Sequence, residues 1–293
     1  MSLVFQEFSP VFSARASFRP GLPPRNRDHT VAAVRRRLII VLLIILQTCR
    51  LAAADKPAAA VVSVAAAANL TYAIEALNLE FQAHHPGARI TTTLGASGSL
   101  FAQIRHGAPY DVFLSADTQY PAELAAAGAG VSATLQTFAR GRLVLWTTNP
   151  RLPMSDLKAA LTSPALRKLA IAQPRSAPYG RAAQTVLEQL GLWSTLAPRL
   201  VIGENIAQAA QFVETGNADA GFVALSFVLS RRLAGRGSYL EIPAPAYPGV
   251  TLAHGAILTQ HGRENVTARQ YLEFLRSSAA QRILRDQGYS SPE

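Results

Sequence analysis

Five turns of small or hydroxyl-bearing residues each separate a predicted strand from a predicted helix. They are Ala66 to Thr71, Gly95 to Ser99, Ser176 to Gly180, Gly203 to Ile206 and Ala224 to Ser226. A helix begins with unpaired backbone N–H groups and a partial positive charge, so several such ends together bind an anion without lysine or arginine. Serine and asparagine are also ordinary helix caps, and glycine is an ordinary turn residue. Physical chemistry alone therefore leaves two interpretations, an oxyanion-binding cleft and a set of plain caps.

The elements that hold these turns alternate between strand and helix from Val61 onward. Short apolar runs are typical of buried strands, and the segments between them have apolar residues at helical spacing. The predicted helices include 69–83, 97–105, 164–169, 179–190, 206–214 and 268–287. Such alternation predicts parallel sheets with helices on both faces. In open sheets of this kind ligands bind beyond the carboxyl ends of the strands, and each of the five turns leaves that end.

The alternation starts afresh at Arg142, which predicts two α/β lobes. We expect residues 55–140 and 250–293 to form lobe 1 and residues 141–249 to form lobe 2. The closing helix then returns to lobe 1, so the chain crosses twice between the lobes. The predicted fold class is α/β, with two doubly wound lobes, a hinge and a ligand cleft between them.

The first 54 residues have the layout of a secretory signal peptide with an upstream extension. Arg35 to Arg37 precede the apolar run Leu38 to Leu46, and Ala52 to Ala54 offer an A-x-A cleavage pattern. The apolar run is too short to span a bilayer comfortably. The only cysteine, Cys49, lies in a poor lipoprotein site because Thr48 stands where a small residue is usual. We therefore expect a periplasmic protein without a lipid anchor, and cleavage after Ala54 leaves no thiol.

Charge and motifs exclude several function classes. The predicted signal region carries eight arginines and only two acidic residues, so most of the formal charge of +10 lies there. No basic run with interleaved aromatic residues remains to bind nucleic acid. The remaining histidines show no metal-ligand spacing with a carboxylate, and there is no nucleophile elbow, phosphate loop or dinucleotide fingerprint. The sequence thus argues against an enzyme and against a cofactor.

Four segments resemble the molybdate-binding proteins of ABC transporters. They are Ala66 to Ala73 (AAANLTYA), Gly95 to Leu100 (GASGSL), Gly107 to Asp117 (GAPYDVFLSAD) and Ala177 to Ala183 (APYGRAA). The resemblance extends from about Val61 to Gly288, and GAPYDVFLSAD is its most specific piece. It implies a type II periplasmic-binding-protein fold that captures molybdate or tungstate between two lobes. It also implies a monomer that delivers this cargo to an ABC transporter permease in the inner membrane.

The resemblance implies oxyanion contacts at Asn69, Ser97, Tyr179 and Ile206. Asn69 and Ser97 would each give a side-chain donor and a backbone N–H, while Tyr179 and Ile206 would give backbone N–H groups. Molybdate would be bound as an oxyanion through these same residues. Some family members place a tyrosine hydroxyl after the strand that ends here at Ala224, and this sequence has Ala-Leu-Ser instead. Asn69 is the candidate replacement for that contact.

The residue types also bear on selectivity. Molybdate, tungstate and sulfate are fully deprotonated near neutral pH and need donors only, whereas phosphate keeps a proton and favours a carboxylate acceptor. Glu204 is the only acidic residue in the five turns, and we expect it to face away from the ligand. We expect Arg181, the nearest cation, to be solvated or paired at the surface. Another oxyanion such as sulfate stays open because cavity radius decides it, and an enzyme on the same fold is the remote alternative.

Overall fold

The computed structural model describes residues 60–292. The predicted signal peptide at 1–54 and its cleavage site after Ala54 lie outside these residues. None of the helices in the described part of the chain combines the length and the apolar character that a membrane span requires.

Ten strands and ten α-helices make up the described chain. The strands are β1 Ala60–Ala67, β2 Ala88–Gly95, β3 Val112–Leu114, β4 Gln136–Arg140, β5 Leu143–Thr147, β6 Leu169–Ala172, β7 Leu200–Gly203, β8 Ala220–Ala224, β9 Ser238–Glu241 and β10 Ala253–Leu258. The helices are α1 Ile74–His84, α2 Ser97–Arg105, α3 Gln119–Ala126, α4 Leu157–Thr162, α5 Pro178–Gln189, α6 Trp193–Leu196, α7 Ile206–Glu214, α8 Leu225–Val228, α9 Val266–Phe274 and α10 Ser278–Asp286.

The strands form two separate five-stranded sheets with the orders β2-β1-β3-β10-β4 and β7-β6-β8-β5-β9. β1 pairs in parallel with β2 and β3, and β6 pairs in parallel with β7 and β8. β10 is antiparallel to β3 and β4, and β5 is antiparallel to β8 and β9. Both sheets are therefore mixed: the predicted parallel pairing is present in each, and the antiparallel strands were not predicted. The antiparallel strands β10 and β5 lie where the chain enters each sheet from the other one.

The closing segment packs against the first sheet. Tyr271, Leu272 and Leu284 share one buried apolar cluster with Leu77 and Phe81 of α1. The single helix predicted at 268–287 is instead two helices, α9 and α10. The second begins anew because the Ser277 side chain accepts a hydrogen bond from the Ala280 N–H.

The three central strands of the second sheet are buried on both faces. Every residue of β5, β6 and β8 is buried, and helices α5 and α7 cover the sheet with residues such as Val186 and Val213. A continuous apolar run is the pattern expected of such strands. Two edge strands, β4 and β9, escaped prediction: β9 has no buried residue and β4 has only two among five, which weakens the hydrophobic signal. The helix predicted at 164–169 is absent, and its last residue begins β6.

The helix predicted at 69–83 also differs from the structure. Residues Ala68–Leu70 form a short 3-10 turn, and α1 begins only at Ile74. The Thr71 hydroxyl donates to the carbonyl of Ala68 at 2.6 Å, which closes this turn. The break frees the polar groups of Asn69 for contacts outside the helix.

Candidate functional site: a neutral cavity between the two sheets

A small cavity lies beyond the carboxyl ends of β1, β2, β6 and β7. The space that its walls leave is small. Its lining residues are Ala67, Ala68, Asn69, Gly95, Ala96, Ser97 and Ala116 from the first half and Ala177, Pro178, Tyr179, Asn205 and Ile206 from the second. None of these residues is acidic or basic. All four residues predicted from the sequence as oxyanion contacts therefore line one cavity.

Ser97 offers both a backbone and a side-chain donor. It is the first residue of α2, and the preceding Ala96 has no side chain that could cap the helix. Its Oγ accepts the Ala116 N–H at 3.0 Å, which leaves the hydroxyl hydrogen free to donate. The residue is only 1% exposed, so a guest contacted there is shielded from water.

Tyr179 provides the first backbone donor of α5. The helix begins at Pro178, which has no N–H. The N–H after that of Tyr179 belongs to Gly180, and it already donates to the carbonyl oxygen of Ala177 at 2.9 Å. A β-carbon on Gly180 would lie 2.3 Å from the carbonyl oxygen of Ala172. Glycine is therefore needed for this helix to begin so close to the end of β6.

The amide of Asn205 leaves one donor uncapped at the start of α7. Its Oδ1 accepts the N–H of Ala207 at 2.9 Å and that of Gln208 at 3.2 Å. The N–H of Ile206 receives no bond from this cap and lies at the cavity wall. Local capping therefore determines which backbone group of this turn is available to a guest.

Asn69 is held by a buried network that joins both halves of the molecule. Its carbonyl accepts the Tyr289 hydroxyl at 2.7 Å and the Ser226 hydroxyl at 3.0 Å. Its side-chain Nδ2 lies 2.6 Å from His254 Nε2 and 3.0 Å from Tyr289 Oη. The amide hydrogens are thus used away from the cavity, and Oδ1 has no partner. Sequence reasoning expected this side chain to be a donor to the anion.

Burial controls the charge of this network. Removal from water lowers the pKa of His254 from 6.5 to about 4, although its hydrogen bond to the Leu252 carbonyl opposes the change. Burial also raises the pKa of Tyr289 to about 12 and that of Tyr179 well above its usual value. All three side chains are therefore neutral at pH 7, and the electrostatics of the cavity are those of backbone and side-chain dipoles.

The fifth turn of the sequence analysis does not reach the cavity. Ala224 and Leu225 are buried in the second core, and the Ser226 hydroxyl bonds to Asn69 instead of facing a guest. Glu204 is exposed and does not line the cavity. Four of the five turns therefore supply residues of the cavity wall, and the fifth supports the Asn69 turn through the Ser226 hydroxyl.

Contacts across the cleft mouth join the two halves directly. The Gly98 N–H of α2 donates to the Ser176 carbonyl at 2.8 Å. Arg181 of α5 forms an ion pair with Asp117 and donates to the Tyr120 hydroxyl at 3.2 Å, while its guanidinium lies 5.3 Å from the Tyr120 ring centre. These contacts hold the two halves against each other. Arg181 is paired, which is one of the two alternatives, solvated or paired, that the sequence left open for it.

Sequence reasoning missed the supporting residues His254, Tyr289 and Gly141. A β-carbon on Gly141, at a crossing between the sheets, would lie 2.1 Å from the Tyr179 hydroxyl and 2.6 Å from the His254 ring. A histidine inside the apolar run of β10 is the one signal that could have pointed to this cluster. Within residues 60–292, no group of three or more His, Cys, Asp or Glu side chains could hold a metal ion.

Known molybdate-binding proteins resemble this chain over most of its length. The molybdate-binding protein ModA of Rhodobacter capsulatus is 40% identical over 225 residues, which is 77% of this chain and 86% of that protein. ModA of Azotobacter vinelandii is 38% identical, over 77% of this chain and 88% of that protein. The solved periplasmic molybdate-binding protein of Azotobacter vinelandii superposes with a TM-score of 0.73 and 32% identity, over 79% of this chain and all of that one.

This chain therefore has the two-lobed periplasmic-binding-protein fold that its sequence predicts, with its strands in two mixed sheets. Residues 62–290 match the family described as bacterial extracellular solute-binding protein. That match spans most of the chain, and the relatives are covered over most of their own length. The chain therefore belongs to the family of bacterial extracellular solute-binding proteins.

Proposed function

We propose that this protein captures molybdate, or the similar tungstate, in the neutral cavity and delivers it to the permease of an ABC transporter. The observation that carries the proposal is the meeting of four helix or turn starts, at Asn69, Ser97, Tyr179 and Ile206, around one cavity. The first three have no side-chain cap, and the cap at the fourth, Asn205, leaves the N–H of Ile206 unbonded. In addition, the molybdate-binding proteins of Rhodobacter capsulatus and Azotobacter vinelandii are 40% and 38% identical to this chain over most of its length.

The composition of the wall favours a fully deprotonated dianion. No carboxylate lines the cavity, so nothing resembles the acceptor that a protonated phosphate favours. No cation lines it either, and the negative charge would be stabilised by peptide dipoles at helix starts. Such dipoles are fixed by the fold and shielded from water, which makes them effective for a buried anion.

The mechanism is closure of two lobes on the anion. We take these lobes as residues 55–140 with 250–293 and residues 141–249, and the two sheets fit this division. The anion binds better to the closed form because only there do donors from both halves reach it, and this difference shifts the equilibrium toward closure. The closed monomer then docks on the permease. A periplasmic location, reached through the predicted signal peptide, agrees with the family.

Isothermal titration with molybdate, tungstate, sulfate and phosphate tests the proposal. We expect molybdate and tungstate to bind at least tenfold more tightly than sulfate, and phosphate to bind weakest. Equal or tighter sulfate binding would contradict the assignment to molybdate.

The variant Ser97→Glu should abolish binding because it adds a carboxylate to the wall of an anion site. Ser132→Glu is the matched control. Ser132 is an exposed residue at the start of the short 3-10 helix before β4, and it does not line the cavity. The milder Ser97→Ala removes one donor to a charged guest, worth about 1.5 kcal/mol or roughly tenfold in affinity. If Ser97→Glu keeps a normal melting temperature and wild-type affinity, the anion binds elsewhere.

A further inference from the structure

Asn69 belongs to the cavity wall, but its side-chain donors are already in use, although the proposed guest needs donors. Asn69 is fully buried, and among the described residues its Oδ1 is the buried side-chain polar atom without a hydrogen-bond partner. Both hydrogens of Nδ2 are directed to His254 Nε2 and to Tyr289 Oη. A buried polar atom without a partner costs free energy, so this arrangement requires an explanation.

Hydrogen-bond directions link the Asn69 amide to the His254 ring. His254 Nδ1 lies 2.7 Å from the carbonyl oxygen of Leu252, and because a carbonyl only accepts, Nδ1 must carry a hydrogen. A neutral ring then has a bare Nε2, which accepts from Asn69 Nδ2 at 2.6 Å. The orientation of the amide and the number of hydrogens on the ring are therefore fixed together.

A bound dianion reverses these requirements. If the amide turns over, Nδ2 donates to the anion and Oδ1 comes to face His254 Nε2. An acceptor at that distance requires Nε2 to carry a hydrogen, while Nδ1 keeps its own for Leu252. The ring is then an imidazolium, and its positive charge lies one residue behind the wall of the cavity.

We propose that His254 is a positioning residue for the oxyanion, and that binding of the dianion is coupled to uptake of one proton at His254 Nε2. This inference rests on the proposed function and deepens it. The proton comes from the solvent and joins the Nε2 lone pair. The hydrogen bonds from Asn69 Nδ2 to His254 Nε2 and Tyr289 Oη are given up for bonds from Nδ2 to the anion and from Nε2 to Oδ1. The Asn69 oxygen that lacks a partner in the structure gains one in the same step.

Among the side chains packed against one another here, His254 is the group that can change its charge near neutral pH. The titratable rings packed against it are those of Tyr179 from α5 and Tyr289 from the carboxyl-terminal segment, and Phe138 packs from β4. Asn69 and Leu252 supply its polar contacts. Burial keeps both tyrosines neutral because it raises their pKa values. Burial also lowers the pKa of His254, and a dianion in the adjacent cavity acts in the opposite direction.

Titration calorimetry with sodium molybdate in buffers of different ionisation enthalpy measures the proton count directly. For the wild-type protein we expect proton uptake that rises toward one per anion between pH 8 and pH 6, a range in which molybdate itself stays deprotonated. Affinity should increase with falling pH by up to about tenfold per unit, as linkage requires. Imidazole ¹⁵N shifts should report a bare Nε2 in the anion-free protein and hydrogens on both nitrogens in the complex.

Two variants separate this role from a purely structural one. His254→Gln has no titrating ring, so we expect binding without proton uptake and with an affinity independent of pH. Tyr271→Phe is the matched control, because Tyr271 is another buried tyrosine whose hydroxyl donates to an asparagine, Asn78, at 2.6 Å outside the cavity. It should lose stability and keep the wild-type proton uptake.

The outcomes distinguish the two proposals. Absence of molybdate binding to the wild-type protein overturns the proposed function. Molybdate binding with no proton uptake and an unchanged ring spectrum overturns the role of His254 alone, whether or not the glutamine variant folds.

Discussion

The ion pair across the cleft mouth should contribute to affinity although neither partner lines the cavity. Arg181 belongs to α5 and Asp117 to the segment after β3, so the pair exists only when the two halves are closed. The substitution Arg181→Gln removes the charge and keeps much of the side chain's length. Asp117 stays in place because its Oδ1 accepts the Ser115 hydroxyl at 2.9 Å and the Tyr120 N–H at 3.2 Å.

The magnitude follows from the exposure of the two side chains. The Arg181 side chain is 37% exposed and that of Asp117 is 10% exposed. An exposed ion pair contributes up to about 1 kcal/mol, and a buried hydrogen bond to a charged group contributes about 1.5 to 3 kcal/mol. We place this half-screened pair between them, at about 1.4 kcal/mol, or a tenfold loss of affinity. The loss should shrink at high salt because the arginine is partly solvated.

Calorimetry gives the affinity, and stopped-flow displacement gives the dissociation rate, which should account for most of the change. Arg232→Gln is the control, since Arg232 pairs with Glu214 within the second half and this pair does not cross the cleft. Small-angle scattering should show that the variant is more open without anion. An affinity for Arg181→Gln within twofold of that for Arg232→Gln would refute the reasoning.

Two further predictions concern closure and pH. Gly98→Ala places a β-carbon 2.9 Å from the Ser176 carbonyl oxygen across the cleft and 2.5 Å from the Tyr120 hydroxyl, the far end of a side chain that can turn away. Anion affinity should therefore fall at least tenfold while the melting temperature of the anion-free protein changes little. Unchanged affinity would mean that the cleft closes without this contact. The pKa of His254 is lowered in the folded protein, so the contribution of its neutral ring to the free energy of unfolding is fully present above pH 6.5 and is lost as pH falls toward 4. Over that window the anion-free wild type should lose about 3 kcal/mol more unfolding free energy than His254→Gln, measured by urea denaturation, and parallel losses would contradict a buried neutral ring.

The sequence determined the local features of the site. Apolar runs and capping residues predicted most strands, and helices 97–105 and 206–214 have the same bounds in the structure. The resemblance to molybdate-binding proteins named the four contact residues. The turns that hold them can be located because helix starts are encoded locally, by Pro178 before Tyr179 and Asn205 before Ile206. Their role in binding an oxyanion remains a prediction, although the structure brings all four to one cavity.

Only the tertiary structure decided how these groups are supported. Asn69 and His254 are 185 positions apart and Asn69 and Tyr289 are 220 apart, and no local pattern joins them. The pairing of Arg181 with Asp117 likewise spans 64 positions and two sheets. Local sequence fixes which donors a turn exposes, because capping acts over a few residues. Long-range packing fixes the direction of a side-chain amide and the charge of a buried ring, because both depend on partners that the folded chain brings together.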